Sequence, residues 1–122
     1  MRKVHVNWSM VSMFLQAVKD KYSETKLDGV YALPRGGLVL GVMLSHRLDI
    51  PLLCAPTKNC LIVDDICDSG ESLLHYFKNT SGSEGKRPFI CTMFYKENDL
   101  GVVPDLYTFK KEDDWIVFPW EE

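Results

Sequence analysis

The run Cys60-Leu61-Ile62-Val63 carries no polar side chain and stops on two adjacent carboxylates, Asp64-Asp65. A stretch this short and this apolar reads as a strand buried on both faces, as strands of a parallel sheet are. Parallel strands need crossovers, usually helices. The rest of the chain supplies them. Apolar side chains at Trp8, Val11, Leu15, Val18 and Tyr22 recur every three or four residues, which predicts a helix with one inward stripe, capped by Asn7 or Ser9. Residues 29–33 predict a first strand and 38–48 a second helix that ends at Asp49-Ile50-Pro51. Residues 51–55 predict a second strand, 56–59 a turn and 60–63 the third strand. A helix over 72–78, a loop over 79–86 and strands over 88–95, 106–109 and 115–118 complete the pattern. The expectation is α/β: one domain over 1–122, with a mostly parallel sheet flanked by helices on both faces. Ligands of such sheets bind beyond the carboxyl ends of the strands. That rule points to the regions after Leu33, Val63 and Tyr95.

Composition narrows the function. With 122 residues, net charge −3 and pI near 5.6, nothing in the chain suggests general affinity for nucleic acid, which would want a basic face. Lys110-Lys111 runs straight into Glu112-Asp113-Asp114 and reads as a solvated turn. No apolar stretch approaches a membrane span, and Met1–Trp8 lacks the apolar core of a signal peptide, so no membrane partner and a cytoplasmic location are expected. The four cysteines form no C-x-x-C pair, and Cys54, Cys60 and Cys91 read as small buried hydrophobes in a reducing compartment. His5, His46 and His75 share no ligand spacing. Trp8 and Trp120 read as packing or subunit contacts.

The segment from Leu61 to Ser72 carries the chemistry. The strand and its acid pair lead to Asp68-Ser69-Gly70-Glu71-Ser72, which opens a helix. Unpaired N–H groups and the dipole at a helix start attract phosphate. Gly70 permits a close, left-handed backbone, and the Ser69 and Ser72 hydroxyls can donate to phosphate oxygens. Asp64 and Asp65 suit the hydroxyls of a sugar bearing that phosphate, or Mg²⁺. Upstream, Arg35-Gly36-Gly37 follows a strand and offers exposed N–H groups and a guanidinium fork to an anion.

This segment resembles the phosphoribosyl pyrophosphate (PRPP) motif of the type I phosphoribosyltransferases: an apolar strand, two acids, two apolar residues, then Asp-Ser/Thr-Gly-x-Ser/Thr. The resemblance implies ribose contacts by Asp64 and Asp65, Mg²⁺ on Asp65, and 5-phosphate binding by Asp68, Ser69, Gly70, Glu71 and Ser72. Glu71 fills the variable place and is expected to point outward. Asp68 falls in the role of the catalytic acid beside the base. Arg35, Gly36 and Gly37 resemble the pyrophosphate loop, where the family often has a non-proline cis peptide. The C-terminal third resembles the bacterial xanthine-guanine branch. Lys96 would then meet the purine 6-oxo group, Trp115 would stack on the ring, and the backbone near Ile116 would read the 2-position.

The implied protein is a purine phosphoribosyltransferase of the salvage type. It would use small-molecule substrates and form a dimer or tetramer. One departure stands out. Only Pro56-Thr57-Lys58-Asn59 occupies the place of the family's long flexible loop, and the hood is reduced. A non-catalytic, regulatory PRPP- or nucleotide-binding protein is therefore the alternative. A transferase for another base and a structural relic are further readings. Lys96 and Trp115 disfavour a pyrimidine.

Overall fold

The computed structural model describes residues 1–78 and 87–121. In chain order the elements are β1 (Lys3–His5), α1 (Trp8–Tyr22), β2 (Val30–Ala32), α2 (Leu38–Leu48), β3 (Leu61–Cys67), α3 (Glu71–Lys78), β4 (Phe89–Tyr95), β5 (Leu106–Lys110) and β6 (Trp115–Val117). A 3-10 turn, Pro119–Glu121, follows. Strands β2-β3-β4-β5 form one all-parallel sheet, and β1 pairs with β6 in a separate parallel ribbon. The expected loop over 79–86 lies outside the described residues.

Local rules account for the helices. Asn7 is extended and its side chain accepts the Met10 N–H at 2.9 Å, so Asn7 is the cap of α1. Val11, Phe14, Leu15, Val18 and Tyr22 are buried along one stripe. Trp8 departs from the predicted stripe: it is 52% exposed and meets Trp120 at 6.0 Å between ring centroids. Helix α2 stops at Asp49, whose φ of 53° is left-handed, and the Ile50 N–H returns to the Ser45 carbonyl at 3.1 Å.

The sheet is buried on both sides. Val30, Leu61, Val63, Cys91 and Met93 share a core with Phe14, Leu15, Leu40 and Leu44, and Ile116 of the small ribbon and Phe118 just after it join it. Ile62, Cys67 and Ile90 pack with Leu73 of α3 on the opposite face. The alternation shifts midway. Val63 and Ile66 face the same core, and pairing skips Asp65–Met93 and Met93–Thr108. Side chains satisfy the backbone at this kink: Thr92 Oγ1 donates to the Phe94 carbonyl at 2.8 Å and Thr108 Oγ1 to the Met93 carbonyl at 3.1 Å.

Three elements depart from the expectation. Residues 51–55 are no strand: only Leu52 bridges Val30, because Pro51 has no N–H to give and the chain turns away. Strand β3 continues to Cys67, through both acids. Strand β1 was not anticipated, and it exists as the partner of β6. The expected turn over 56–59 does form, at the amino ends of the strands. Thr57 Oγ1 donates to Asp28 at 2.7 Å, Asn59 Nδ2 donates to the Lys26 carbonyl at 2.9 Å, and the Asp28 N–H donates to the Asn59 carbonyl at 2.8 Å.

From β2 the chain crosses through α2 to Leu52 on the outer edge of β2, then returns to β3 on its other side. The winding reverses between β2 and β3. The loops after these two strands therefore border the crevice where such sheets bind ligands.

Candidate active site

The acid pair lies at the sheet kink. Asp64 Oδ1 accepts the Asp65 N–H at 2.8 Å, and Asp65 Oδ1 accepts the Ile66 N–H at 2.8 Å. These bonds replace ladder bonds and explain how a strand passes through two carboxylates. The loop after β2 closes over the pair. A Cβ added to Gly36 would lie 2.7 Å from Asp65 Cγ, and one added to Gly37 would lie 2.5 Å from the Val63 carbonyl oxygen. Glycine is required at both places by close approach. The Pro34–Arg35 peptide is cis, and Arg35 is exposed.

Both carboxyls are half-buried. Burial pushes Asp64 up from 3.8 to about 8, and the neighbouring Asp65 charge adds to the rise. Burial raises Asp65 as well. A site that resists its own charge is suited to a cation or to hydroxyl donors. Among the described residues no three or more His, Cys, Asp or Glu side chains gather as a metal set. A pair of carboxylates alone fits Mg²⁺, which usually takes one or two protein carboxylates and completes its shell with water and substrate phosphate.

Beyond Cys67, Asp68 and Ser69 are exposed and Gly70 is buried with φ of 84°. A side chain at Gly70 would meet Val102 Cβ at 2.8 Å. Ser69 Oγ accepts the Glu71 N–H at 3.3 Å, a local turn just ahead of α3. A cavity of about 100 Å³ opens here, lined by Ile66, Cys67, Asp68, Ser69, Gly70, Ser72 and Leu73. Glu71 is exposed, as expected.

On the far side of Asp68 stand two lysines. Lys96 follows β4, its N–H bonded to the Cys67 carbonyl at 2.8 Å. Its Nζ lies 2.8 Å from Asp113 Oδ1 and 3.9 Å from Asp68 Oδ1. Pairing with Asp113 raises the Lys96 pKa and lowers that of Asp113. Lys111 overturns the solvated-turn expectation. Its side chain is 6% exposed and its Nζ lies 3.0 Å from Asp68 Oδ2. The sequence did carry a signal for it: Lys111 is the first residue past β5, at the carboxyl edge of the sheet.

Clefts of about 480 and 700 Å³ flank the segment 96–99. The first includes Asp68, Ser69 and Glu71, and the second Tyr95, Tyr107 and Lys111. Trp115 is 60% exposed on β6. The Ile116 side chain is packed in the main core, and its backbone pairs with Val4. Cys60, Cys67 and Cys91 are buried, but Cys54 is exposed where the chain turns back, contrary to expectation. All three histidines are exposed. Among the described residues no helix is long and apolar enough to cross a membrane.

No family model matches the chain. The crystal structure of a purine phosphoribosyltransferase from Pyrococcus horikoshii superposes on all of this chain and 96% of its own, with a TM-score of 0.80 and 33% identity. The chain belongs to the purine phosphoribosyltransferases. These are pentosyltransferases, and the parallel sheet with its helices and small hood is their type I fold. The xanthine-guanine-hypoxanthine phosphoribosyltransferase of Helicobacter pylori shares the fold at a TM-score of 0.73 and 20% identity, covering 98% of this chain and 94% of that one. The xanthine-guanine phosphoribosyltransferase of Cereibacter sphaeroides is 25% identical over 148 aligned positions, covering 96% of this chain and 86% of that protein.

Proposed function

We propose that this phosphoribosyltransferase transfers the 5-phosphoribosyl group of PRPP to N9 of a 6-oxopurine. The observation that carries the reading is the convergence at the switch point. Gly36 and Gly37 press on the half-buried Asp64–Asp65 pair, and the cavity of about 100 Å³ at the start of α3 lies just beyond. One sugar bearing a 5-phosphate and a 1-pyrophosphate spans these features. The phosphate sits against Ser69, Gly70 and Ser72. The ribose hydroxyls donate to Asp64 and Asp65, and the pyrophosphate meets Arg35 and the N–H groups of Gly36 and Gly37.

As the C1′–O bond breaks, pyrophosphate leaves with the bonding pair and N9 bonds to C1′. Asp68 accepts the proton that the purine releases. Arg35 and the glycine N–H groups hold charge that grows on the leaving group. Lys96 donates to the 6-oxo oxygen, Trp115 stacks on the ring, and backbone at Ile116 reads the 2-position. Asp65, with Asp64 beside it, would hold Mg²⁺, which when bound supplies charge neutralisation to the pyrophosphate. The names of the Helicobacter and Cereibacter relatives support a 6-oxopurine.

We further assign the chain as one domain over 1–122, because a single core cluster draws on both sheets. It would act in the cytoplasm on small molecules, as a homo-oligomer. The short turn over 56–59 favours a second reading, a binding protein without turnover, since its hydrogen bonds hold it at the sheet end away from the acid pair. Pyrophosphate release, measured with PRPP, Mg²⁺ and each of guanine, xanthine, hypoxanthine and adenine, separates the two. Release dependent on a 6-oxopurine and abolished by Asp68→Asn supports transfer. A melting-temperature rise with PRPP but no release with any base supports the binding protein.

A further inference from the structure

Asp68 faces two cations of different kinds. Lys111 is buried, 3.0 Å from Asp68 Oδ2, and its ammonium also donates to the Glu112 carbonyl at 3.1 Å. Lys96 is one-third exposed, stands 3.9 Å from Asp68 Oδ1 and is hydrogen-bonded to Asp113 instead. A buried ammonium has few alternatives to its carboxylate and, left unpaired, is a desolvated charge. An exposed one exchanges partners at little cost. The chain thus gives Asp68 a fixed partner and leaves Lys96 a movable one.

We propose that Lys111 is a positioning residue for Asp68 and, by satisfying that carboxylate, keeps Lys96 available for the 6-oxo group of the purine. The inference rests on the phosphoribosyl-transfer reading. Without Lys111, the nearest cation to Asp68 is Lys96, which moves the short distance onto it. The donor that distinguishes a 6-oxo from a 6-amino purine is then withdrawn. Lys111 acts on specificity through two other side chains and touches no substrate.

The test compares wild type, Lys111→Met and Lys111→Arg in steady-state pyrophosphate release with hypoxanthine, guanine and adenine. In Lys111→Met the KM for the 6-oxopurines rises about tenfold or more, as loss of a charge-assisted hydrogen bond requires. The KM for PRPP stays within about twofold, and the preference for 6-oxopurines over adenine collapses. Lys111→Arg, which restores the cation, recovers most of both. Lysine-ammonium NMR supplies a readout independent of turnover, and in Asp68→Asn it covers the case where Lys111→Met does not fold. The Lys111 ammonium signal, slow to exchange in wild type, is lost in Asp68→Asn, and the Lys96 signal shifts in Lys111→Met. An unchanged base preference and base KM in Lys111→Met, with only a lower melting temperature, overturns the proposal. So does a Lys111 signal indifferent to Asp68→Asn. If wild type itself releases no pyrophosphate, the transfer reading fails, and the NMR arm alone decides whether Lys111 holds Asp68.

Discussion

Asp105 and the Asp64–Asp65 pair are partly buried aspartates of one sheet, yet their environments drive them in opposite directions. Burial works to raise Asp105, but Arg87 overrides it through a bidentate pair at 2.8 Å for each bond, joined by the Ile90 N–H at 2.7 Å, so its carboxyl is held below the usual range. The acids of β3 receive N–H groups of their own strand and lie against each other with no cation paired to them among the described residues, and burial raises both. The first arrangement staples the start of β4 to the start of β5. The second keeps two ionisable carboxyls in a half-buried place, where burial works against their charged forms. On the proposed function, the difference separates a carboxylate kept for the fold from carboxylates kept for a ligand.

Substitutions at the two places should separate in kind. The double change Asp64→Asn/Asp65→Asn should cut pyrophosphate release by about a thousandfold or more, the scale of losing several kcal/mol of leaving-group and ribose stabilisation. It should leave the fold intact, as a circular dichroism spectrum will show. Asp105→Ala should do the reverse. Losing a bidentate pair and stranding Arg87 costs about 2–3 kcal/mol, or on the order of 10 °C in melting temperature, with unchanged turnover per folded molecule. Asp64→Asn alone should stabilise the ligand-free protein by about 1–2 kcal/mol in a thermal melt at neutral pH, because folding no longer has to protonate a half-buried carboxyl.

The pH dependence follows from the same contrast. With Asp64 raised from 3.8 to about 8, the native state holds more protons than the unfolded state between these values. The contribution of the pair to stability therefore falls as pH rises through that window. Asp105 is lowered, so its contribution is complete above 3.8 and is lost as pH drops through its lower folded value. Urea titrations of the free protein should find greatest stability in mild acid, with a decline toward pH 8 that Asp64→Asn flattens. The smallest effect belongs to the exposed Lys96–Asp113 pair: Asp113→Asn should move the melting temperature by about 1 °C or less.

Much of this was legible in the chain because its signals are local. The stripe of α1, its Asn7 cap, the apolar run of β3 and the glycine loop before α3 each follow from neighbours in sequence. The missed features depend on distant partners. Strand β1 has only three residues and no apolar pattern, and pairing with Trp115–Val117 makes it a strand. Asp64 and Asp65 looked like the end of β3, but their side chains take the place of ladder bonds and let the strand continue. Lys111 sits in a run of charges that reads as surface, and the acid that buries it lies 43 residues earlier. Cys54 looked buried because residues 51–55 were read as a strand. The broken pairing after Leu52 leaves it in solvent.

On the proposed function, the acid pair within β3 is kept for a phosphorylated sugar and its cation. The most direct measurement is the melting temperature of wild type and of Asp64→Asn/Asp65→Asn, each with Mg²⁺ alone and with Mg²⁺ plus PRPP. At a PRPP concentration a hundredfold above Kd, binding adds about 2.7 kcal/mol. Wild type should then rise by on the order of 10 °C, and the double variant should not respond. Equal rises in both proteins would contradict the account and leave the two aspartates as mere supports of a kinked strand.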